Sequence, residues 1–141
     1  MNPYSPIRKV PLDYQGIQSN AFSVQMERID KEGMRKYKEV GTVSNNYLLV
    51  PNSEVRDMAV DIADQSGVNF TEDKTFFDGK RYITSYIAKD DTIGEVAVGD
   101  DVAIGFQMWN SYDGSTSLGF RMMIYRLACL NGMMSHTNLS K

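Results

Sequence analysis

Cysteine and histidine each occur once in this 141-residue chain, and their scarcity excludes several classes of protein. A single cysteine cannot form a disulfide within the chain, and one cysteine with one histidine cannot supply the four ligands of a structural zinc site. The chain also lacks any run of about 18 apolar residues that would predict a membrane-spanning helix. Neither the Walker phosphate loop nor the dinucleotide-binding glycine motif is present. We therefore expect no metal and no cofactor.

Acidic and basic residues are unevenly distributed, although the net charge is only −3. Residues 1–50 contain 7 basic and 5 acidic side chains, residues 51–101 contain 5 and 12, and residues 102–141 contain 3 and 1. The middle third is strongly acidic, whereas both flanks are mildly basic. Because a chain of low net charge can still present a basic surface locally, the composition does not exclude a nucleic-acid ligand.

Alternation of apolar and polar residues predicts β-strands through most of the chain. The predicted strands cover residues 21–29, 34–43, 47–50, 74–77, 80–88, 95–98, 102–111 and 117–130. Asp78-Gly79 is a strong signal for a two-residue hairpin turn, and residues 30–33 suit a four-residue turn. Three of the four prolines lie in residues 1–20, which we predict to be an irregular N-terminal arm.

One amphipathic helix is predicted over residues 53–66. Its apolar residues recur at helical spacing, Asn52 or Ser53 suits the N-cap, and Gly67 suits the position after the last turn. Together these elements predict an α+β fold, in which an antiparallel sheet of about 6–7 strands, built from several hairpins, packs on one central helix. Residues 21–141 would form this single domain.

Two segments of the chain resemble a known protein family. The earlier segment runs from Gly41 to Val43 and from Tyr47 to Asn52, just before the predicted helix. The later one contains the residues Asn110, Ser111, Asp113, Gly114, Ser115, Arg126, Cys129, Asn131 and Gly132. This pattern resembles the phage/plasmid-like family called domain of unknown function 932. The resemblance implies a phage, prophage or plasmid setting and carries no mechanism. Because members usually continue past the Asn-Gly-Met point, we expect a short or truncated member.

Cationic and aromatic residues form the candidate nucleic-acid-binding surface. They are Lys36, Lys38, Lys80, Arg81, Arg121, Tyr82, Tyr86 and Trp109. Bases stack on aromatic rings while cations hold the phosphates, which is how single strands are bound without sequence readout. The alternative is an ordinary solvated face with the aromatic side chains in the core, since sequence alone does not place these residues on one face.

The sequence gives less support for a catalytic site than for a binding surface. Cys129 and His136 could act as nucleophile and base, but Cys129 lies in an apolar strand, where a free cysteine is usually buried. The loop at Asp113 could bind phosphate through backbone N–H groups, although a hairpin turn requires the same residue types. The acidic pairs at residues 90–91 and 100–101 match no calcium-binding loop. We expect no catalytic residues.

These observations predict a non-enzymatic, phage- or plasmid-associated protein that binds single-stranded DNA or assists its annealing. The alternative is a viral protein-interaction module, an inhibitor of a host protein or an assembly component, that binds no nucleic acid. Edge strands and a methionine-rich C-terminal segment favour that alternative and also allow homo-oligomers. Because no targeting segment is evident, we expect a cytoplasmic protein, in the host cell if viral, without membrane contact.

Overall fold

Strands dominate the structure, a computed structural model that describes residues 1–97, 100–126 and 136–138, with side chains for residues 1–89 and 102–126. The described elements are β1 (Ile7–Tyr14), β2 (Ile17–Ile29), β3 (Arg35–Ser44), α1 (Asn52–Ser66), β4 (Thr71–Phe77), β5 (Arg81–Ala97), β6 (Asp100–Ser111), β7 (Gly119–Arg126) and β8 (His136–Asn138). All strand pairs are antiparallel. The prediction of an α+β fold with a single helix is confirmed for these residues.

The strands form two sheets, so the prediction of a single sheet is wrong. The first sheet has the order β1-β2-β3 and the second the order β4-β5-β6-β7-β8. The predicted strand at residues 47–50 is absent, and residues 95–97 continue β5. In the segment after β3, the Tyr47 hydroxyl donates to the Ser111 carbonyl at 2.6 Å. This segment is thus bonded to the end of β6 and adds no fourth strand beside β3.

The predicted irregular arm is also wrong, because residues 7–14 form β1 and pair with β2. The prolines suggested disorder, but β1 is an edge strand, where a residue without an N–H group is tolerated. The pairing shifts register between Pro11 and Asp13. Gln15 and Gly16 then reverse the chain with positive φ angles of 52° and 80°, as the tight turn of a hairpin requires.

Hairpins form at both predicted turns, and an aspartate stabilises each. The two-residue loop of the second hairpin is Gly79-Lys80, one position later than predicted, because Phe77 pairs with Tyr82. The Asp78 carboxylate accepts hydrogen bonds from the backbone N–H groups of Lys80 and Arg81 at 2.9 and 2.7 Å. These bonds hold the pKa of Asp78 below its ordinary value. In the first sheet, the Asp30 carboxylate accepts from the N–H of Met34 at 2.8 Å. Both turns therefore depend on an ionised side chain.

The predicted helix is confirmed with a different start. It begins at Asn52, follows Pro51 without a side-chain cap, and ends at Gly67, whose φ is 71°. Two of its side chains, Val55 and Ala59, belong to a buried cluster that also contains Tyr82, Tyr86, Phe106 and Met108. A second buried cluster lies on the first sheet and contains Val24, Met26, Val40, Val43 and Tyr112. Tyr112, which follows β6, therefore packs against the first sheet.

Candidate nucleic-acid interface

The face of the second sheet opposite α1, which we call the outer face, carries two adjacent rows of side chains. Strand register aligns these rows as Phe76, Ile83, Trp109 and Gly119, and as Lys74, Ser85, Gln107 and Arg121. Phe76 is 51% exposed, and Ile83 and Trp109 are half-buried. An apolar row with two aromatic rings therefore lies beside a polar row that has a cation at each end.

Trp109 lies over Gly119 on the neighbouring strand. A Cβ atom at Gly119 would be 2.2 Å from the indole ring, so only glycine leaves room for the ring there. The Arg121 guanidinium is 5.6 Å from the ring centroid, within the range of a cation–π contact. Its Nε and Nη2 donate to the Gln107 Oε1 at 2.9 and 2.6 Å. Gln107 and Trp109 together hold this guanidinium in place.

A groove of about 220 Å³ lies next to this pair. Its lining residues are Arg81, Tyr82, Ile83, Gln107, Trp109, Asn110, Thr116 and Arg121. None of them is acidic, and two are arginines. Arg81 is also within 3.5 Å of the Asp78 carboxylate, but its side chain is 59% exposed. The groove therefore combines an aromatic ring with accessible positive charge, a combination suited to an anionic aromatic ligand.

Two predicted site residues, Tyr82 and Tyr86, are buried beneath the helix, and their assignment to a ligand-stacking role is corrected. Tyr82 is 0% and Tyr86 is 4% exposed. The Tyr82 hydroxyl is 3.0 Å from that of Tyr4, and Tyr86 stacks on Phe106 with centroids 5.1 Å apart. Burial raises the pKa of both tyrosines. Their rings form core, because the helix covers their face of the sheet.

The predicted cations divide between two places. Arg81 and Arg121 line the groove. Lys36 and Lys38 lie on β3 in the first sheet, and Lys80 lies in the turn between β4 and β5. Lys36 is engaged by Asp30, with 3.1 Å between the Nζ and Oδ2 atoms. The structure thus brings Arg81, Trp109 and Arg121 of the predicted set together around one groove.

The two segments that carry the family resemblance meet in space at the junction of the sheets. The Asn110 side chain donates to the Val50 carbonyl at 2.8 Å and to the Asn52 Oδ1 at 3.0 Å. The backbone N–H of Asn52 donates to the Tyr112 hydroxyl at 2.8 Å, and burial raises the pKa of Tyr112 to about 12. These contacts are buried and internal, so this part of the pattern supports the fold.

The turn after β6 extends this junction. A Cβ atom at Gly41 would lie 2.6 Å from the Asp113 Cα, so β3 and the turn are in backbone contact. The Asp113 carboxylate accepts from the N–H of Ser115 at 3.0 Å. Burial raises the pKa of Asp113, but hydrogen bonds from Ser115 and from its own backbone N–H, together with the nearby charge of Lys80, leave it below its ordinary value. The Asp113 side chain is thus used within the turn itself, as expected of a hairpin turn.

The remaining residues of the later segment lie at the end of β6, in the turn after it, at the end of β7 or outside the described residues. Ser111 is buried, and its hydroxyl donates to the Thr116 carbonyl at 2.6 Å across the turn. Gly114 is exposed in that turn, and Arg126 ends β7 opposite Val102. Cys129, Asn131 and Gly132 lie outside the described residues, as does the side chain of His136. The expectation that Cys129 is a buried core residue and not a nucleophile paired with His136 therefore stays a prediction.

Sequence reasoning missed four residues that matter to the outer face: Lys74, Phe76, Ile83 and Gln107. Only part of the signal was present in the sequence. The Asp78-Gly79 pair predicts the hairpin, but a two-residue turn at those positions would pair Phe77 with Lys80. The observed register instead pairs Phe77 with Tyr82 and Phe76 with Ile83. Sequence reasoning also missed Arg28, which lies beside that turn, since a Cβ atom added at Gly79 would lie 3.6 Å from the Arg28 Nη2. That contact joins two sheets and has no local sequence signal.

Searches of the described residues for two other kinds of site gave negative results. They contain no group of three or more histidine, cysteine or acidic side chains placed to hold a metal ion. Among the same residues, no helix has the length and apolar character needed to cross a membrane.

Comparison with protein families matches residues 39–139 to the family described as Domain of unknown function (DUF932). The match spans both segments at the junction and confirms the resemblance. It begins in β3, so β1 and β2 lie before it. Neither the curated proteins nor the solved structures give a match to this chain.

Proposed function

We propose that this chain, which belongs to the Domain of unknown function (DUF932) family, binds single-stranded nucleic acid on its outer face without catalysing a reaction. The observation that carries the proposal is the groove in which Trp109 lies between Arg81 and Arg121 with no acidic lining residue. A phage- or plasmid-borne accessory that binds or anneals single-stranded DNA fits this surface. The matched family has no known function, so the phage or plasmid association is itself part of the proposal.

Each part of the groove has a distinct task. The half-buried indole of Trp109 offers a surface on which a base stacks, a contact that contributes about 1–3 kcal/mol in proteins of this kind. Arg121 is preorganised by Gln107 through two donated hydrogen bonds, so it meets a phosphate with little loss of side-chain freedom. Arg81 supplies a second, more exposed guanidinium at the other side of the apolar row.

The chemistry of this surface predicts weak sequence preference. Stacking and phosphate contacts are available to every nucleotide, and guanidinium–phosphate pairs depend strongly on salt. The negative net charge does not oppose this binding, because the groove presents arginines at short range and surface charges beyond about 8 Å are largely screened at physiological salt.

The single tryptophan of the chain makes the proposal directly testable. Titration with a labelled oligothymidylate of about 12 nucleotides, at about 50 and about 200 mM salt, should give saturable anisotropy changes, quenching of Trp109 fluorescence, and weaker binding at the higher salt. Arg121→Gln should lower the affinity about tenfold or more, because it removes one phosphate contact and the cation beside the ring.

Arg56→Gln is the matched control. Arg56 lies on α1 with a side chain that is 49% exposed, on the other side of the sheet, and its replacement removes the same charge. Its affinity should remain within about twofold of the original protein. Absence of binding at low salt, or equal losses in the two variants, would contradict the proposal, and capture of a specific protein without any oligonucleotide shift would favour the interaction-module alternative.

A further inference from the structure

A cleft of about 650 Å³ lies beside the first sheet, between residues 1–6 and the ends of β2 and β3. Its lining includes Tyr4, Glu27, Arg28 and Lys38. Two of these are cations that approach from neighbouring strands, because Arg28 lies opposite Lys36 and Lys38 lies opposite Met26. The cleft therefore has a concentration of positive charge on one wall.

Arg28 is half-buried, and among the described residues no carboxylate lies within 4.0 Å of its guanidinium. Its cross-strand neighbour Lys36 is paired with Asp30 at 3.1 Å, so Lys36 supplies no negative partner and leaves the Arg28 charge uncompensated in the described part of the chain. The acidic residue of the cleft, Glu27, is already engaged by Arg35 at 3.9 Å. A half-buried guanidinium with no carboxylate partner among the described residues gains from an anionic ligand.

The cleft is close to the groove on the second sheet. A Cβ atom added at Gly79 in the β4–β5 turn would lie 3.6 Å from the Arg28 Nη2, so Arg28 is next to this turn, and Arg81, two residues later, lines the groove. Two residues of extended chain span at most about 7 Å. Lys80 lies between them on the same turn, so cations continue from the cleft to the groove.

We propose that the cleft binds the phosphate backbone of the same single strand whose base stacks on Trp109. The strand crosses the β4–β5 turn, and its phosphates meet Arg28 and Lys38. The ligand class is a phosphodiester chain recognised by charge, independent of base identity. This inference rests on the proposed function and adds the direction in which the strand leaves the groove.

Oligonucleotide length separates the cleft from the groove. A thymidine dinucleotide with one base stacked on Trp109 is too short to cross the β4–β5 turn, whereas an oligothymidylate of about 12 nucleotides also reaches the cleft. The double variant Arg28→Gln/Lys38→Gln should weaken binding of the longer oligonucleotide about tenfold and leave the shorter one within about twofold. Loss of two phosphate contacts should also reduce the slope of log affinity against log salt by about 1.4.

The control is Lys31→Gln/Arg56→Gln, which removes two charges from residues that line neither cavity and should leave both affinities unchanged. Lys38→Gln alone, at an exposed position, provides a second variant that cannot fail through loss of a buried contact. It should lower only the affinity for the longer oligonucleotide.

Two results would contradict phosphate binding by the cleft while leaving the proposed function of the groove intact. One is unchanged binding of the longer oligonucleotide by the double variant while Arg121→Gln still binds weakly. The other is an equal loss for both lengths, because that would remove the distinction between cleft and groove. If the original protein binds neither oligonucleotide, the proposed function fails, and this inference fails with it.

Discussion

The buried side chains of Asn110 and Asn52 are joined by a hydrogen bond of 3.0 Å, donated by the Asn110 amide to the Asn52 Oδ1. The same amide donates to the Val50 carbonyl, and the Asn52 amide donates to the Pro3 carbonyl at 3.0 Å. The start of α1 is therefore held by side chains from β6 and by the N-terminal segment. The helix has no side-chain cap because its N-cap residue is Pro51, whose side chain cannot accept a hydrogen bond, and the Asn52 side chain makes tertiary contacts instead.

Asn110→Ala should destabilise the protein by about 2–3 kcal/mol, because it leaves the Val50 carbonyl and the Asn52 side chain without their donor in a buried site. Urea unfolding followed by circular dichroism measures this loss. Asn46→Ala, at an exposed position, should change the free energy of unfolding by less than about 0.5 kcal/mol. Equal changes in the free energy of unfolding for the two variants would show that the hydrogen bonds of Asn110 do not stabilise the protein.

Tyr47→Phe should cost about 1 kcal/mol, since it removes the hydroxyl that donates to the Ser111 carbonyl at 2.6 Å. The chain offers a closely matched control in Tyr14→Phe, because Tyr14 is 74% exposed. Thermal unfolding of the two variants side by side is sufficient. A Tyr47 variant as stable as the Tyr14 variant would argue against a hydroxyl contribution at the junction.

Gly41→Ala should destabilise the junction by about 1–3 kcal/mol through overpacking. The added Cβ atom would lie 2.6 Å from both the Asp113 Cα and the Tyr112 carbonyl oxygen, and backbone atoms cannot rotate away. Thr42→Ala, an exposed neighbour on the same strand, serves as the control for a small change in β3. Denaturant unfolding should separate the two variants, and coincident curves would be inconsistent with the close approach.

Gly119→Ala should displace the Trp109 ring, because the new Cβ atom would lie 2.2 Å from it. The intrinsic fluorescence spectrum should shift, and oligothymidylate affinity should fall about tenfold as the stacking surface is lost. Ser117→Ala, exposed and just outside β7, should change neither signal. An altered spectrum with unaltered affinity would remove Trp109 from the proposed binding surface.

Acid should weaken the β4–β5 hairpin through Asp78. Its pKa in the folded protein lies below the ordinary value of 3.8, so its contribution to stability is present above that value and is lost as pH falls through the lowered pKa. Asp78→Asn retains an acceptor oxygen and suits the turn, but it does not titrate. The melting temperature of this variant should fall less between about pH 4 and about pH 2 than that of the original protein.

Asp61→Asn provides the comparison for that experiment. Asp61 is exposed on α1 and accepts no side-chain hydrogen bond among the described residues. This variant should retain the acid sensitivity of the original protein. If Asp78→Asn does so as well, the turn carboxylate is not a source of that sensitivity.

Local patterns were sufficient for the helix and for the hairpins. Helical spacing ahead of Gly67 and the Asp78-Gly79 signal each depend on a few neighbouring residues. The helix and the hairpin both form, although the hairpin turn lies one residue later than predicted. Pro11 misled the prediction of the N-terminal region, because whether a proline is tolerated depends on whether its strand lies at an edge. That position in the sheet is a property of the assembled fold.

The candidate site was only partly predictable for the same reason. Alternation correctly separates Tyr82 from Ile83, but it does not identify which face α1 covers. The covered face proved to be that of Tyr82 and Tyr86, whereas Trp109, of the opposite parity, lines the groove. The two sheets meet where Gly41 contacts Asp113, residues 72 positions apart in the sequence, so no local pattern predicts this junction.

The contacts made by residues 3 and 4 bear on where the autonomous folding unit begins. Pro3 accepts a hydrogen bond from Asn52, and the Tyr4 hydroxyl lies 3.0 Å from that of Tyr82 in the core beneath the helix. Both partners belong to the family-matched region, which starts at residue 39. A recombinant fragment that begins at residue 39 would therefore lose both contacts. The Asn52 amide and the Tyr82 hydroxyl, which the intact chain buries, would be exposed to water.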